Sequence, residues 1–172
     1  MLGRILHWVY CLPLDKAVLL TLVATGLFFW FHRRWGRKLW WKVTVGVLIA
    51  CWAVVALSVM FARDYGVRQI SLIPLRTYFD AFSRGDREPI RSGFMNVLLF
   101  YPGGLLLMSL IPRKQRTKVL LGFFLLSVAV EVGQYLLSVG VTETDDVLHN
   151  TLGTALGRLS LRQYEKHNAD GP

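Results

Sequence analysis

Charge is scarce in this sequence. Lys, Arg, Asp and Glu make up 18% of its 172 residues, where a soluble domain carries about 25%. The charges that remain gather in short runs between apolar stretches, hydrophobic residues reach 53% and the mean hydropathy is positive. Charge is costly in hydrocarbon and is confined to the loops of membrane proteins, so the pattern excludes an ordinary soluble domain. The length points to one domain. Acids are scarcer still, 11 against 20 Lys and Arg, for a net charge of +9. Such an excess can serve nucleic acid, but no motif that reads RNA or DNA is present. The basic residues instead flank apolar spans: Arg33, Arg34, Arg37, Lys38 and Lys42 follow one, and Arg113, Lys114, Arg116 and Lys118 follow another. Loops of this kind touch anionic lipid headgroups, so membrane lipids, and not nucleic acid, are the expected partners. There are two cysteines, Cys11 and Cys51. Neither has a partner at metal spacing, and both read as buried small hydrophobes that fix no redox compartment. No internal repeat or low-complexity segment is visible. No clear small-x-small cleavage site follows residues 1–14, so the N-terminus is read as retained.

A membrane-crossing helix needs about 20 apolar residues. Five stretches qualify or come close: 17–31, 43–62, 93–111, 119–139 and 147–161. The first is short and is stopped by His32-Arg33-Arg34. The second follows Leu39-Trp40-Trp41, an expected aromatic interface anchor. The fifth is short and polar, tenable where neighbouring helices cover it. The expected fold is an all-α polytopic membrane bundle of about five helices, with a long loop between the second and third. The expected organisation is a two-helix segment over 1–62, a core over 63–161 and a cytoplasmic tail over 162–172. The segment 63–92 is too polar to span and too apolar to be a free linker, so an interfacial or re-entrant piece packed on the bundle is expected. Both basic loops and the C-terminus belong in the cytoplasm by the positive-inside rule, which turns the acidic segment 140–146 and the long loop outward.

The informative residues are polar ones inside apolar spans. Ser127, Glu131, Gln134 and Ser138 fall on one face of the fourth span. A carboxylate at mid-membrane costs at least about 2.5–3.5 kcal/mol, so Glu131 should face the bundle or a wet cavity. In the fifth span Asp146, Asn150, Gly153 and Gly157 share a face. The two glycines form a G-x-x-x-G, which helix packing alone would explain. Asp145 and Asp146 stand at the helix start, where capping alone would explain them, and His149 reads as an interface residue. In the third span Pro102 removes a backbone hydrogen bond beside Gly103 and Gly104, and Asn96 lies on the Gly103 face. Together Asn96, Glu131, Gln134, Asp145, Asp146 and Asn150 predict a polar pocket opening outward, to which Arg76 could bring a positive charge.

At these residues the sequence resembles the VanZ-like family of bacterial membrane proteins. The match covers about 70–157. It rests on Leu72-Ile73-Pro74-Leu75-Arg76-Thr77, on Asn96-Val97-Leu98-Leu99-Phe100-Tyr101-Pro102-Gly103-Gly104, on Glu131-x-x-Gln134, and on Asp145-Asp146-Val147-Leu148-His149-Asn150-Thr151-Leu152-Gly153. The chain departs from the family pattern before Asp145. Glu143 stands where an Asp is usual, and the Arg that usually precedes it is missing; if that Arg serves the family's activity, this member has altered or lost it. The resemblance implies a multi-pass protein of the bacterial plasma membrane with a role in the cell envelope, and the family's named member is associated with low-level resistance to the glycopeptide teicoplanin.

Three functions fit these residues. The leading one is a non-enzymatic envelope protein whose pocket, with no cofactor, binds a lipid headgroup, a lipid-linked cell-wall intermediate or a lipophilic glycopeptide. The second is an intramembrane enzyme on a lipid-linked diphosphate, with Mg²⁺ held by Asp145, Asp146 and Glu131, although no nucleophile–base pair is evident. The third is a lipid transporter or scramblase.

Overall fold

A computed structural model describes residues 13–61, 69–139 and 141–169 of the chain. Nearly all of them are helical: α1 (Leu14–Trp35), α2 (Leu39–Phe61), α3 (Arg76–Arg84), α4 (Glu88–Leu110), a 3₁₀ turn (Arg113–Gln115), α5 (Arg116–Leu137) and α6 (Thr144–Ala169). Two three-residue strands, β1 (Gln69–Ser71) and β2 (Val141–Glu143), pair in parallel with Ile70 opposite Thr142.

Local chemistry sets the helix ends. Pro13 precedes α1, which runs through the expected stop at His32-Arg33-Arg34. Cations in a last turn meet the negative end of the helix dipole, so the basic run favours that turn. Pro89 lies in the first turn of α4, where its missing N–H is no loss. The helix ends at Ile111, held extended before Pro112. Ser138 closes α5 with φ 54°, the left-handed position common after a helix.

Four helical units are long and apolar enough to cross a membrane: α1, α2, α4 and Arg113–Leu137. The fifth expected span lies within α6, which does not qualify on apolarity. Its buried face carries Asp145, Asp146, Asn150, Gly153, Thr154 and Gly157 and its second half carries Arg158, Arg162, Glu165 and Lys166, while Leu148, Leu152, Leu156 and Leu159 form an exposed stripe. It also continues past 161 through the expected tail to Ala169. The connection expected as a long loop carries structure of its own. Residues 69–88 hold β1, a turn, α3 and the start of α4, because β2 offers a backbone edge for β1 and α3 packs on α4.

The most extensive helix interface is between α4 and α6. The two run in the same direction: Asn96 Nδ2 donates to Asp146 Oδ1 near their starts, and Tyr101 Oη donates to Ser160 Oγ at 3.1 Å further on. α1 and α2 also pack on α4. The far end gathers the basic loops. Glu165 accepts from Arg113 Nε at 2.7 Å and from both Arg116 terminal nitrogens at 2.8 and 2.6 Å. Tyr164 stacks on Phe29 with centroids 4.5 Å apart. Trp41, expected as an interface anchor, is buried there and donates to His32 Nδ1 at 3.1 Å; Trp40 is the exposed one. Cys51 is an exposed thiol, not the expected core residue. It sits between Val47 and Val54 on the outward stripe of α2, and Cys11 lies outside the described residues.

Candidate binding chamber

The glycines of α4 and α6 let α2, α4 and α6 approach closely. A Cβ on Gly104 would lie 2.5 Å from Thr154 O, and one on Gly157 would lie 2.5 Å from Tyr101 O and 2.6 Å from Leu105 N. A Cβ on Gly153 would strike Val97 O, and one on Gly103 would strike the Trp52 ring. Trp52 Nε1 donates to Leu99 O at 2.7 Å, beside the Leu98 carbonyl that Pro102 has no N–H to satisfy. The glycine motif is therefore an interface between α4 and α6 within one chain.

That packing leaves a chamber of about 600 Å³ at the start of α4 and α6. Its polar side carries Asn96, Glu143, Asp145, Asp146, His149, Tyr78, Thr77 and Arg91; its apolar side is Leu20 of α1, Val59 and Met60 of α2, and Met95, Leu98 and Leu99 of α4. Asp145 and Asp146 stand in the first turn of α6 and take bonds from outside it as well. Tertiary donors reach them: Leu75 N donates to Asp145 Oδ1 at 2.8 Å, and Asn96 Nδ2 donates to Asp146 Oδ1 at 2.6 Å. Leu75 is thereby held at φ 64°. For a branched side chain in the left-handed region this costs about 1–2 kcal/mol.

The other polar residues of the predicted site form a buried layer beneath the chamber. Glu131 Oε2 accepts from Glu143 N at 2.9 Å, directly under the acidic segment. Gln134 Nε2 donates to Met60 O at 2.6 Å, tying α5 to α2, and Asn150 Nδ2 donates to Ser127 Oγ at 2.7 Å, tying α6 to α5. Arg76 lines an adjoining cavity of about 480 Å³ together with Arg84. The site residues therefore divide into chamber walls (Asn96, Asp145, Asp146), a tie layer (Glu131, Gln134, Asn150) and an outlying Arg76. The three carboxylates considered for Mg²⁺ are held by different partners, and among the described residues no three His, Cys, Asp or Glu side chains form a metal-ligand group.

Sequence reasoning undervalued Tyr78 and His149. Tyr78 Oη and His149 Nε2 share a hydrogen bond of 2.8 Å, and Gly93 lies beneath it because a Cβ there would meet both side chains. The signal was present as a polar residue one turn from Asp145 on the same helix. Burial, then the charges of Asp145, Asp146 and Glu143, push the Tyr78 hydroxyl pKa up to about 12. Burial and these three carboxylates thus extend to higher pH the range over which the phenol stays protonated.

A multi-pass helical membrane protein with a polar chamber at one end of its bundle is the class these features define. The VanZ/LLP1 family model matches residues 43–163, and the chain belongs to that family. The match extends the resemblance seen over 70–157 back through α2, whose Val59 and Met60 wall the chamber. No curated protein and no solved structure matches the chain.

Proposed function

We propose that this protein binds the headgroup of an envelope amphiphile in the chamber, without catalysing a reaction on it. The observation that carries this reading is the chamber's two-sided wall: carboxylates, amide, phenol and imidazole on one side, and side chains of membrane-crossing helices on the other. A ligand with a polar head and an apolar tail satisfies both sides at once. The separate engagement of Glu131, Asp145 and Asp146 disfavours the enzymatic alternative.

In this reading α6 crosses the bilayer beside α4 as the fifth span, its leucine stripe toward lipid and its polar face covered. The basic end, with Arg33, Arg34, Arg113 and Arg116, faces the cytoplasm, so the chamber opens outward, where a lipid-linked cell-wall intermediate or a lipophilic glycopeptide would reach it. The test is lipid analysis of the full chain purified into nanodiscs. A defined amphiphile should co-purify and be lost on Ser92→Trp, which places an indole at the chamber wall. Unselective bulk lipid, unchanged by that substitution, would refute the proposal.

A further inference from the structure

The charges around the chamber are sorted in space. Its lining holds five carboxylates, those of Asp86, Glu88, Glu143, Asp145 and Asp146, against one guanidinium, Arg91. Arg91 is itself paired with Glu88 at 3.3 Å. The adjoining cavity is balanced instead, with Arg76 and Arg84 against Asp86 and Glu143, and both carboxylates lie in the wall it shares with the chamber. The two share one wall, formed by Thr77, Asp86, Pro89, Val141 and Glu143, so an acidic compartment and an arginine-bearing one stand side by side.

A bare phosphate or diphosphate in the chamber would meet like charge at short range, which is strongly disfavoured. A primary ammonium suits it instead, because it offers three donors to carboxylates that are acceptors only. The phosphate of the same headgroup then fits the guanidinium groups next door, which present forked donors to phosphate oxygens. The protonated Tyr78 hydroxyl adds a further group to the acidic side.

We infer that the two cavities together take a zwitterionic headgroup of the phosphoethanolamine type, its amine among the carboxylates and its phosphate against Arg76 and Arg84. This rests on the lipid-binding reading above and names its ligand class. The apolar side of the chamber makes the ligand a lipid rather than a free headgroup.

The test is native mass spectrometry of the full chain with dioleoyl phosphatidylethanolamine, phosphatidylglycerol and phosphatidylcholine. The ethanolamine lipid should be retained at least about tenfold more tightly than either other lipid, a difference of about 1.4 kcal/mol. Phosphatidylcholine keeps the charge but lacks the N–H donors, so it isolates the hydrogen bonds. Glu143→Gln, or Asp86→Asn where the first variant folds poorly, should reduce that preference. The double variant R76Q/R84Q should weaken all three lipids. Equal or tighter binding of phosphatidylglycerol or phosphatidylcholine overturns the inference while leaving lipid binding standing. Competition by free glycerophosphoethanolamine as strong as by the lipid overturns its lipid part. Absence of any retained lipid removes the proposed function beneath it.

Discussion

Replacing Gly157 by alanine tests the helix interface that forms the chamber. The added Cβ would lie 2.5 Å from Tyr101 O and 2.6 Å from Leu105 N, about 0.9 Å inside the 3.4 Å at which ordinary contact begins. Both atoms are backbone of α4, so no rotamer change relieves the clash and the helices must separate. A radial gap of about 0.5–1 Å forfeits a quarter to a half of each dispersion contact, and overpacking typically costs about 1–3 kcal/mol. With backbone on the opposing side the upper end applies, about 3 kcal/mol. Alanine returns about 0.5–1 kcal/mol of helix propensity, leaving a net loss of about 2 kcal/mol. Gly26→Ala and Gly122→Ala are the controls: nothing lies within 4 Å of a Cβ at either position, so each should gain about 0.5–1 kcal/mol. The assay is unfolding by dodecyl sulfate in mixed micelles, followed by circular dichroism. If Gly157→Ala is as stable as Gly122→Ala, α4 and α6 are not packed backbone to backbone and the chamber walls are misassigned.

Three further outcomes follow from the same structure. Leu75→Gly should stabilise by about 1 kcal/mol, because glycine adopts the left-handed backbone at no cost and the leucine side chain is exposed; unchanged or lower thermal stability would contradict this. Tyr78→Phe should destabilise the protein at neutral pH through loss of the His149 bond. Since the folded hydroxyl is raised above its usual value of 10.0 to about 12, its contribution is complete below pH 10.0 and fades between those values. The gap between wild type and variant should therefore narrow with rising pH in stability measurements, and a widening gap refutes the assignment. Burial raises the Glu165 carboxyl, but its bonds and charge interactions with Arg116 and Arg113 outweigh that and hold it below its ordinary range. Its contribution is present above the ordinary carboxylate pKa and lost as pH falls through the depressed one. Wild type should thus melt higher than Glu165→Gln in detergent at neutral pH, with the difference shrinking toward zero in strong acid.

What could be read without coordinates was whatever the solvent imposes on a single segment. Apolar length and basic flanks define α1, α2, α4 and α5, because hydrocarbon rejects charge whatever the neighbours are. The spacing of Glu131 and Gln134, and of Asp146, Asn150, Gly153 and Gly157, marks inward faces, because helical periodicity places such residues together. Partnership was not legible. Asp145 at a helix start reads as a cap, yet its carboxylate holds the backbone of Leu75, 70 residues away in sequence. Tyr78 and His149 each look ordinary, and they are joined only because α3 folds back onto α4 over Gly93. Hydropathy sums all faces of α6 and makes a span there conditional on cover from neighbours; in the fold its polar face lies against α4 and α5 and a row of leucines lies outside. Sequence thus fixes which side chains must leave the hydrocarbon, a one-body question of transfer free energy. Which of them meet, and the cavity left between them, depends on close packing among helices distant along the chain, and only the tertiary structure decides that.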